Sequence, residues 1–146
     1  MDNMDKKIIS LLKKNAKYSI KELSYLTELS STPIFERIKR LEKLKIIKGY
    51  TVLIDAKKCG KNIAAFCNVS LTSHTYEMLC TFEEKITQLE EVLSCYHIAG
   101  SYDYLLKIEV KDMEEYAIFI KEKLTKIPHI GTVQSSFIMK KILENG

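Results

Sequence analysis

The sequence predicts an α+β chain in two unlike parts, a front of three helices and a back in which strands and helices alternate. Three observations carry this. Residues 19–50, SIKELSYLTELSSTPIFERIKRLEKLKIIKGY, read as two capped amphipathic helices joined by a short connection. From residue 61 the apolar residues change from helical spacing to alternating runs. The charge changes sign at the same place: residues 1–60 carry 14 Lys or Arg against 7 Asp or Glu, residues 61–146 carry 9 against 12, and the whole chain is formally +4. These divisions predict a first domain at 1–60 and a second at 61–146.

The first helix spans residues 3–14, with Met4, Ile8, Leu11 and Leu12 on one face and Asp2 and Asp5 near the positive end of its dipole. The second starts near Ile20, because Ser19 and Glu22 stand at capping-box spacing and each can satisfy the other's orphan backbone amide. Leu23 and Leu26 are its expected buried side. Residues 27–30 make a connection of the length a helix-turn-helix needs. Ser30, Ser31 and Thr32 are all competent N-caps for the third helix, and Pro33 sits in its first turn, where a missing amide breaks no helical bond. Ile34, Ile38, Leu41 and Leu44 form the apolar stripe of that helix, and Glu36, Arg37, Lys39, Arg40 and Lys43 fall largely off it. Residues 46–55, IIKGYTVLID, are β-branched and aromatic and predict a wing or linking strand. The front is therefore a winged helix-turn-helix.

In the back half Ile63, Ala65, Cys67, Val69 and Leu71 alternate along a strand, and Leu79, Phe82, Ile86 and Leu89 return to helical spacing. Residues 92–99 form a second strand, Gly100-Ser101-Tyr102-Asp103 a turn, and Tyr104, Leu106, Ile108 and Val110 the inner side of a third. Asp112 and Glu115 repeat the capping-box spacing before a helix carrying Met113, Tyr116, Ala117, Ile120, Leu124 and Ile127, which Pro128 stops ahead of a last strand at residues 131–141. The order β-α-β-β-α-β is that of a ferredoxin-like sandwich, with both helices on one face of an antiparallel sheet. Its other face needs a cover, and a second copy of the chain is the simplest one, so a homodimer is expected.

Several function classes find no support in the residues. Cys59, Cys67, Cys80 and Cys95 stand 8, 13 and 15 positions apart, which is neither a zinc nor a redox spacing, and they read as reduced core residues. His74, His97 and His129 form no local ligand pattern, so no metal, cofactor or catalytic group is expected. The chain opens directly into a helix and holds no apolar run near the ~18 residues a membrane span requires, which predicts a cytoplasmic protein.

The basic front predicts double-stranded DNA as partner, since nucleic-acid affinity is mostly electrostatic. For base readout the third helix offers Ser31, Thr32, Glu36 and Lys39. Arg37 and Arg40 have the length for bases or phosphates, Arg37 being the stronger candidate for an internal salt bridge, and Lys43 suits a phosphate. Phe35 stands either under the second helix or against thymine methyl groups; packing is the expectation.

The phrases LSSTPIFERIKRLEKLKIIKGYTVLID and IAGSYDYLLKIEV, in these places, closely resemble the Lrp/AsnC (feast/famine) family of transcription regulators, and the resemblance covers essentially the whole chain. Matching positions include Asp2, Asp5, Leu23, Leu29, Ser30, Arg37, Ile38, Arg40, Leu41, Glu42, Ile47, Gly49, Tyr50, Gly100, Tyr102 and Asp103. Lys45 departs from the pattern, standing where the family usually has a Gly that ends the reading helix, which puts the angle of the wing in question. The resemblance implies a sequence-specific regulator whose dimers assemble further, often to octamers, and whose back domain binds small molecules, commonly amino acids, between dimers. It makes Gly100, Ser101, Tyr102 and Asp103 the candidate effector site, with Asp103 as acceptor for an α-ammonium group; by residue type alone they are a plain turn. Two alternatives follow. An effector-independent nucleoid-organising protein also fits a basic front. A siroheme-decarboxylase-like enzyme shares the plan, but residues 61–146 contain no Arg and only scattered His.

Overall fold

The computed structural model describes residues 1–143; the last three residues of the expected second domain lie outside them. The described residues form two compact units, 1–53 and 54–143.

The first unit holds α1 (Asn3–Lys14), α2 (Ile20–Thr27) and α3 (Ser31–Lys43). Each of the first two helices opens with a complete capping box. Asp2 accepts from the Asp5 amide at 2.8 Å while Asp5 accepts from the Asp2 amide at 3.0 Å, and Ser19 and Glu22 exchange the same pair of bonds. Ile8, Leu23, Ile34 and Ile38 form the core, with Met4, Leu11, Leu12, Tyr18, Ile20 and Leu29 packed around them, and Leu41 is also buried. Leu26 and Leu44 are not part of it. Leu26 is partly exposed and Thr27 takes the inward place one turn after Leu23, its hydroxyl donating to the Leu23 carbonyl at 2.6 Å; Leu44 is the C-cap and lies in solvent. The N-cap of α3 is Ser30, which makes no side-chain capping bond.

Both turns flanking α3 use a left-handed residue that is not glycine. Glu28 (φ 61°) ends α2, and Lys45 (φ 56°) follows α3. The Ile46 amide donates to the Leu41 carbonyl and the Lys45 amide to the Glu42 carbonyl, both at 3.0 Å, which is a complete Schellman closure. Lys45 thus takes the left-handed turn that glycine usually supplies. Residues 46–55 form no strand, a correction to the expected wing: a β-prone run needs a second extended segment to complete a ladder, none among the described residues pairs with it, and Val52 and Leu53 are exposed.

The second unit is a four-stranded antiparallel sheet in the order β2-β3-β1-β4, from β1 (Ile63–Leu71), β2 (Val92–His97), β3 (Tyr104–Val110) and β4 (Ile130–Phe137). α4 (Tyr76–Ile86) follows β1 and α5 (Met113–Ile118) follows β3. Ala65, Cys67, Val69 and Leu71 from β1 and Tyr104, Leu106, Ile108 and Val110 from β3 share one buried core with Phe82, Ile86, Tyr116 and Phe119. This is the ferredoxin-like arrangement. Three expectations shift. The last helix leaves α geometry at Phe119–Lys123 for a π turn and then a 3₁₀ turn at Leu124–Lys126, and the five-residue step buries both Phe119 and Leu124. Only half the capping box at Asp112 forms: Asp112 accepts from the Glu115 amide at 2.9 Å, but the Glu115 carboxylate accepts from the Lys111 amide instead. β2 ends at His97 and β4 at Phe137, shorter than the apolar pattern suggests. Of the cysteines, Cys67 is buried, Cys95 half-buried, and Cys59 and Cys80 are exposed. Burial pushes the Cys95 thiol up to about 11, which leaves it protonated at neutral pH.

Candidate functional site

The front unit presents one side of α3 to solvent. At 100° per residue Thr32, Glu36, Lys39 and Lys43 lie opposite the buried Ile34, Ile38 and Leu41, with Ser31 and Phe35 on one flank and Arg37 and Arg40 on the other. Ser31, Thr32, Phe35, Glu36, Lys39 and Lys43 are all exposed. The structure therefore leaves six of the seven predicted reading residues exposed, Arg40 among them, and only Arg37 half-buried. Phe35 corrects the expectation of packing: it is 51% exposed, and the Lys39 ammonium lies 5.7 Å from its ring centroid.

Arg37 and Arg40 are engaged from behind by α1. Arg37 Nη1 reaches Asp2 Oδ2 at 2.6 Å and Asp5 Oδ1 at 2.7 Å, and Arg40 Nη2 reaches both oxygens of Asp5 at 2.8 Å. The Asp5 side chain is 1% exposed and accepts four hydrogen bonds in all. Burial pushes its pKa up, but the Asp2 amide, the Arg37 guanidinium and the charge of Arg40 outweigh that and hold it below the usual carboxylate value. The Asp5 amide and Arg37 hold the Asp2 carboxyl at about 2. Sequence reasoning assigned these two aspartates to the helix dipole. The D-x-x-D spacing could have shown their capping box, but nothing local announces their partners more than thirty residues away.

The turn after β2 is shaped by contacts from β1. Gly100 takes φ 147°, a conformation side-chain-bearing residues rarely adopt. Ser101 is exposed, and the Tyr102 hydroxyl donates to the Gln134 side-chain oxygen. Asp103 is largely built in: Oδ2 accepts from the Leu71 amide at 2.7 Å, Oδ1 lies 2.7 Å from His74 Nε2, and its own amide donates to the Val69 carbonyl at 2.9 Å. His97, beside the turn, stacks on Tyr104 with centroids 4.7 Å apart. Among the described residues no group of three or more His, Cys, Asp or Glu is placed to hold a metal, and no helix is long and apolar enough to cross a membrane.

A helix-turn-helix with a solvent-facing, cation-bearing second helix, followed by a ferredoxin-like unit, defines a class of DNA-binding transcription regulators. Residues 1–42 match the AsnC-type helix-turn-helix domain and residues 64–146 the Lrp/AsnC ligand binding domain. The DNA-binding transcriptional activator DecR of Escherichia coli (strain K12) is 35% identical over 142 residues, 97% of this chain and 93% of that protein. The leucine-responsive regulatory protein of the same strain is 30% identical over 145 residues, covering 99% and 88%. Among solved structures, a transcriptional regulator of Neisseria meningitidis in complex with L-Met superposes with a TM-score of 0.95 at 30% identity, covering 99% of this chain and 94% of that one. Bacillus subtilis LrpC gives 0.85 at 32%, covering 97% and 96%. The chain belongs to the Lrp/AsnC family of DNA-binding transcription regulators.

Proposed function

We propose that residues 1–60 bind double-stranded DNA sequence-specifically and that residues 61–146 bind an amino-acid effector and hold copies of the chain together, without catalysing a reaction. The observation that carries this is the open stripe of α3, where Thr32, Glu36, Lys39 and Lys43 face away from the core with Ser31 at its N-terminal flank. Hydroxyl, carboxylate and ammonium groups on one helix side are the donor and acceptor set that major-groove base edges and phosphates require. Arg37 and Arg40 contribute by fixing α3 and, through the half-exposed Arg40, by reaching phosphates.

The effector assignment rests on the family and on the turn at 100–103. Relatives are described as leucine-responsive and as an L-Met complex, which supports an amino acid. Because Asp103 already serves the Leu71 amide and His74, its part is to hold the turn, and Ser101 together with the backbone at Gly100 supplies contacts to a ligand. Self-association is supported by the sheet face away from the helices, where Phe66 and Tyr96 stand exposed. The reading is of a cytoplasmic homodimer that assembles further, to octamers, with effectors bound between dimers. An effector that shifts the assembly shifts the spacing of the reading helices, about 34 Å apart on successive turns of DNA, and so changes affinity.

A gel shift of the chain on its own upstream DNA, at two salt concentrations and with each amino acid in turn, tests this. A salt-sensitive complex altered by one amino acid is expected. A complex that no amino acid alters overturns the effector reading, and no complex overturns the DNA reading; mass by light scattering decides the assembly.

A further inference from the structure

Phe35 has no role in the function described so far, yet it stands half exposed on the helix that meets DNA. The buried apolar residues of α3 are Ile34, Ile38 and Leu41. Phe35 stands on its outward flank, three residues after Thr32 and one turn before Lys39. The Lys39 ammonium, 5.7 Å from the ring centroid, is within cation–π range and carries its positive charge beside the ring. What covers an aromatic ring on a reading helix is the major groove, and the apolar group that base edges present there is the C5-methyl of thymine.

We propose that Phe35 is a specificity-determining residue that reads thymine methyl groups, with Lys39 engaging a phosphate or purine edge alongside. This rests on the assignment of α3 as the reading helix. Cytosine offers no methyl, so the contact favours T·A over C·G at the position beneath the ring. Removing one methyl costs about fourfold in affinity, the equivalent of one buried CH₂ group. If Phe35 merely shields the stem of Lys39, its loss affects stability and leaves base preference untouched.

The test uses the full chain and a duplex recovered with it from a random-sequence library, with Kd measured by fluorescence anisotropy at one salt concentration. Each thymine is replaced in turn by deoxyuridine, which removes the methyl and keeps the base pair. The wild type is expected to lose about fourfold at one or two positions of each half-site. Phe35→Ala is expected to bind the thymine duplex on the order of tenfold more weakly and to show no further loss at those same positions. Phe35→Leu keeps an apolar contact and should show a reduced uracil penalty, which decides the matter if Phe35→Ala fails to fold. The proposal is overturned if no uracil substitution weakens the wild type, or if the penalty is the same in wild type and variants. Failure of the wild type to select any duplex overturns the DNA reading of α3 itself, and is distinguishable because no variant is needed to see it.

Discussion

Replacing Asp5 with Asn tests whether the α1–α3 ion cluster holds α3 in place. Asp5 Oδ1 accepts from Arg37 and Arg40, and Oδ2 from Arg40 and the Asp2 amide, at 2.7–3.0 Å. An amide keeps one acceptor oxygen and turns the other into a donor, so two of these four bonds are lost and an NH₂ group faces other donors. Hydrogen bonds to charged groups contribute about 1.5–3 kcal/mol each, and breaking a buried pair costs about 3–5 kcal/mol. Arg37 and Arg40 are 26% and 53% exposed and can recover water, which lowers the expected cost to about 2–3 kcal/mol. Urea denaturation followed by circular dichroism at pH 7 reads this directly. The pH dependence gives a second check. Both carboxyls have folded pKa values below their unfolded ones, so their contribution is fully present above about pH 4 and is lost as pH falls toward about 2, the value of Asp2. Asp5→Asn should flatten that acid limb in part, leaving the share of Asp2. A variant within about 0.5 kcal/mol of wild type at pH 7, with an unchanged acid limb, would refute the cluster as a stabilising element.

Lys45→Gly should stabilise the front unit by about 1 kcal/mol, since it relieves a left-handed residue within an intact Schellman closure, and a thermal melt that fails to rise would refute that strain. Asp103→Asn keeps the shape of the turn but weakens its grip on the Leu71 amide and His74; the second unit should lose about 1–3 kcal/mol by chemical denaturation, and the amino-acid response should weaken with it. Lys39→Ala and Lys43→Ala should each reduce the slope of log Kobs against log salt by about 1 if the ammonium meets a phosphate, measured by anisotropy, and an unchanged slope would assign that lysine to bases or to solvent.

What local pattern determines was legible. The Ser19–Glu22 capping box, the stripe of Ile34, Ile38 and Leu41, and the alternation along β1 and β3 appear in the structure where the sequence put them, because each depends on spacings of two to four residues. The misses share a different cause. Residues 46–55 have strand propensity, but a strand is a property of two segments, and no segment among the described residues pairs with them. The Phe119–Leu124 step is five residues, a period that a search for 3.6 cannot register. Phe35 lies on the border between the core and solvent sides of a helical wheel, where spacing does not decide.

The polar contacts that span more than twenty-five residues were illegible for a deeper reason, and they bear most on function. Asp5 binds Arg37 and Arg40 across 32 and 35 positions, and Asp103 binds the Leu71 amide and His74 across 32 and 29. In both places a residue that sequence reasoning assigned to a ligand turns out to be held by the protein's own groups. The sequence offers Arg37 and Arg40 to bases or phosphates, Arg37 as the stronger candidate for an internal salt bridge, and the family resemblance gives Asp103 to an α-ammonium; the partners themselves are not visible in a sequence. Once those partners are drawn, the chemistry that no internal ion pair engages narrows, among the described residues, to Thr32, Phe35, Glu36 and Lys43 on α3, with Lys39 paired to Glu42 at 3.3 Å, and to Ser101 with its neighbouring backbone at the turn. Of the four cations of α3, Lys39, Arg40 and Lys43 are exposed and Arg37 is half-buried, with Arg37 and Arg40 tied to α1 and Lys39 to Glu42. On the proposed DNA-binding reading, cations shared with the protein's own carboxylates contribute less to affinity that is blind to sequence. On that reading a larger share of the discrimination comes from base-edge contacts, which places the weight of specificity on the hydroxyl, carboxylate and aromatic groups at the N-terminal half of α3.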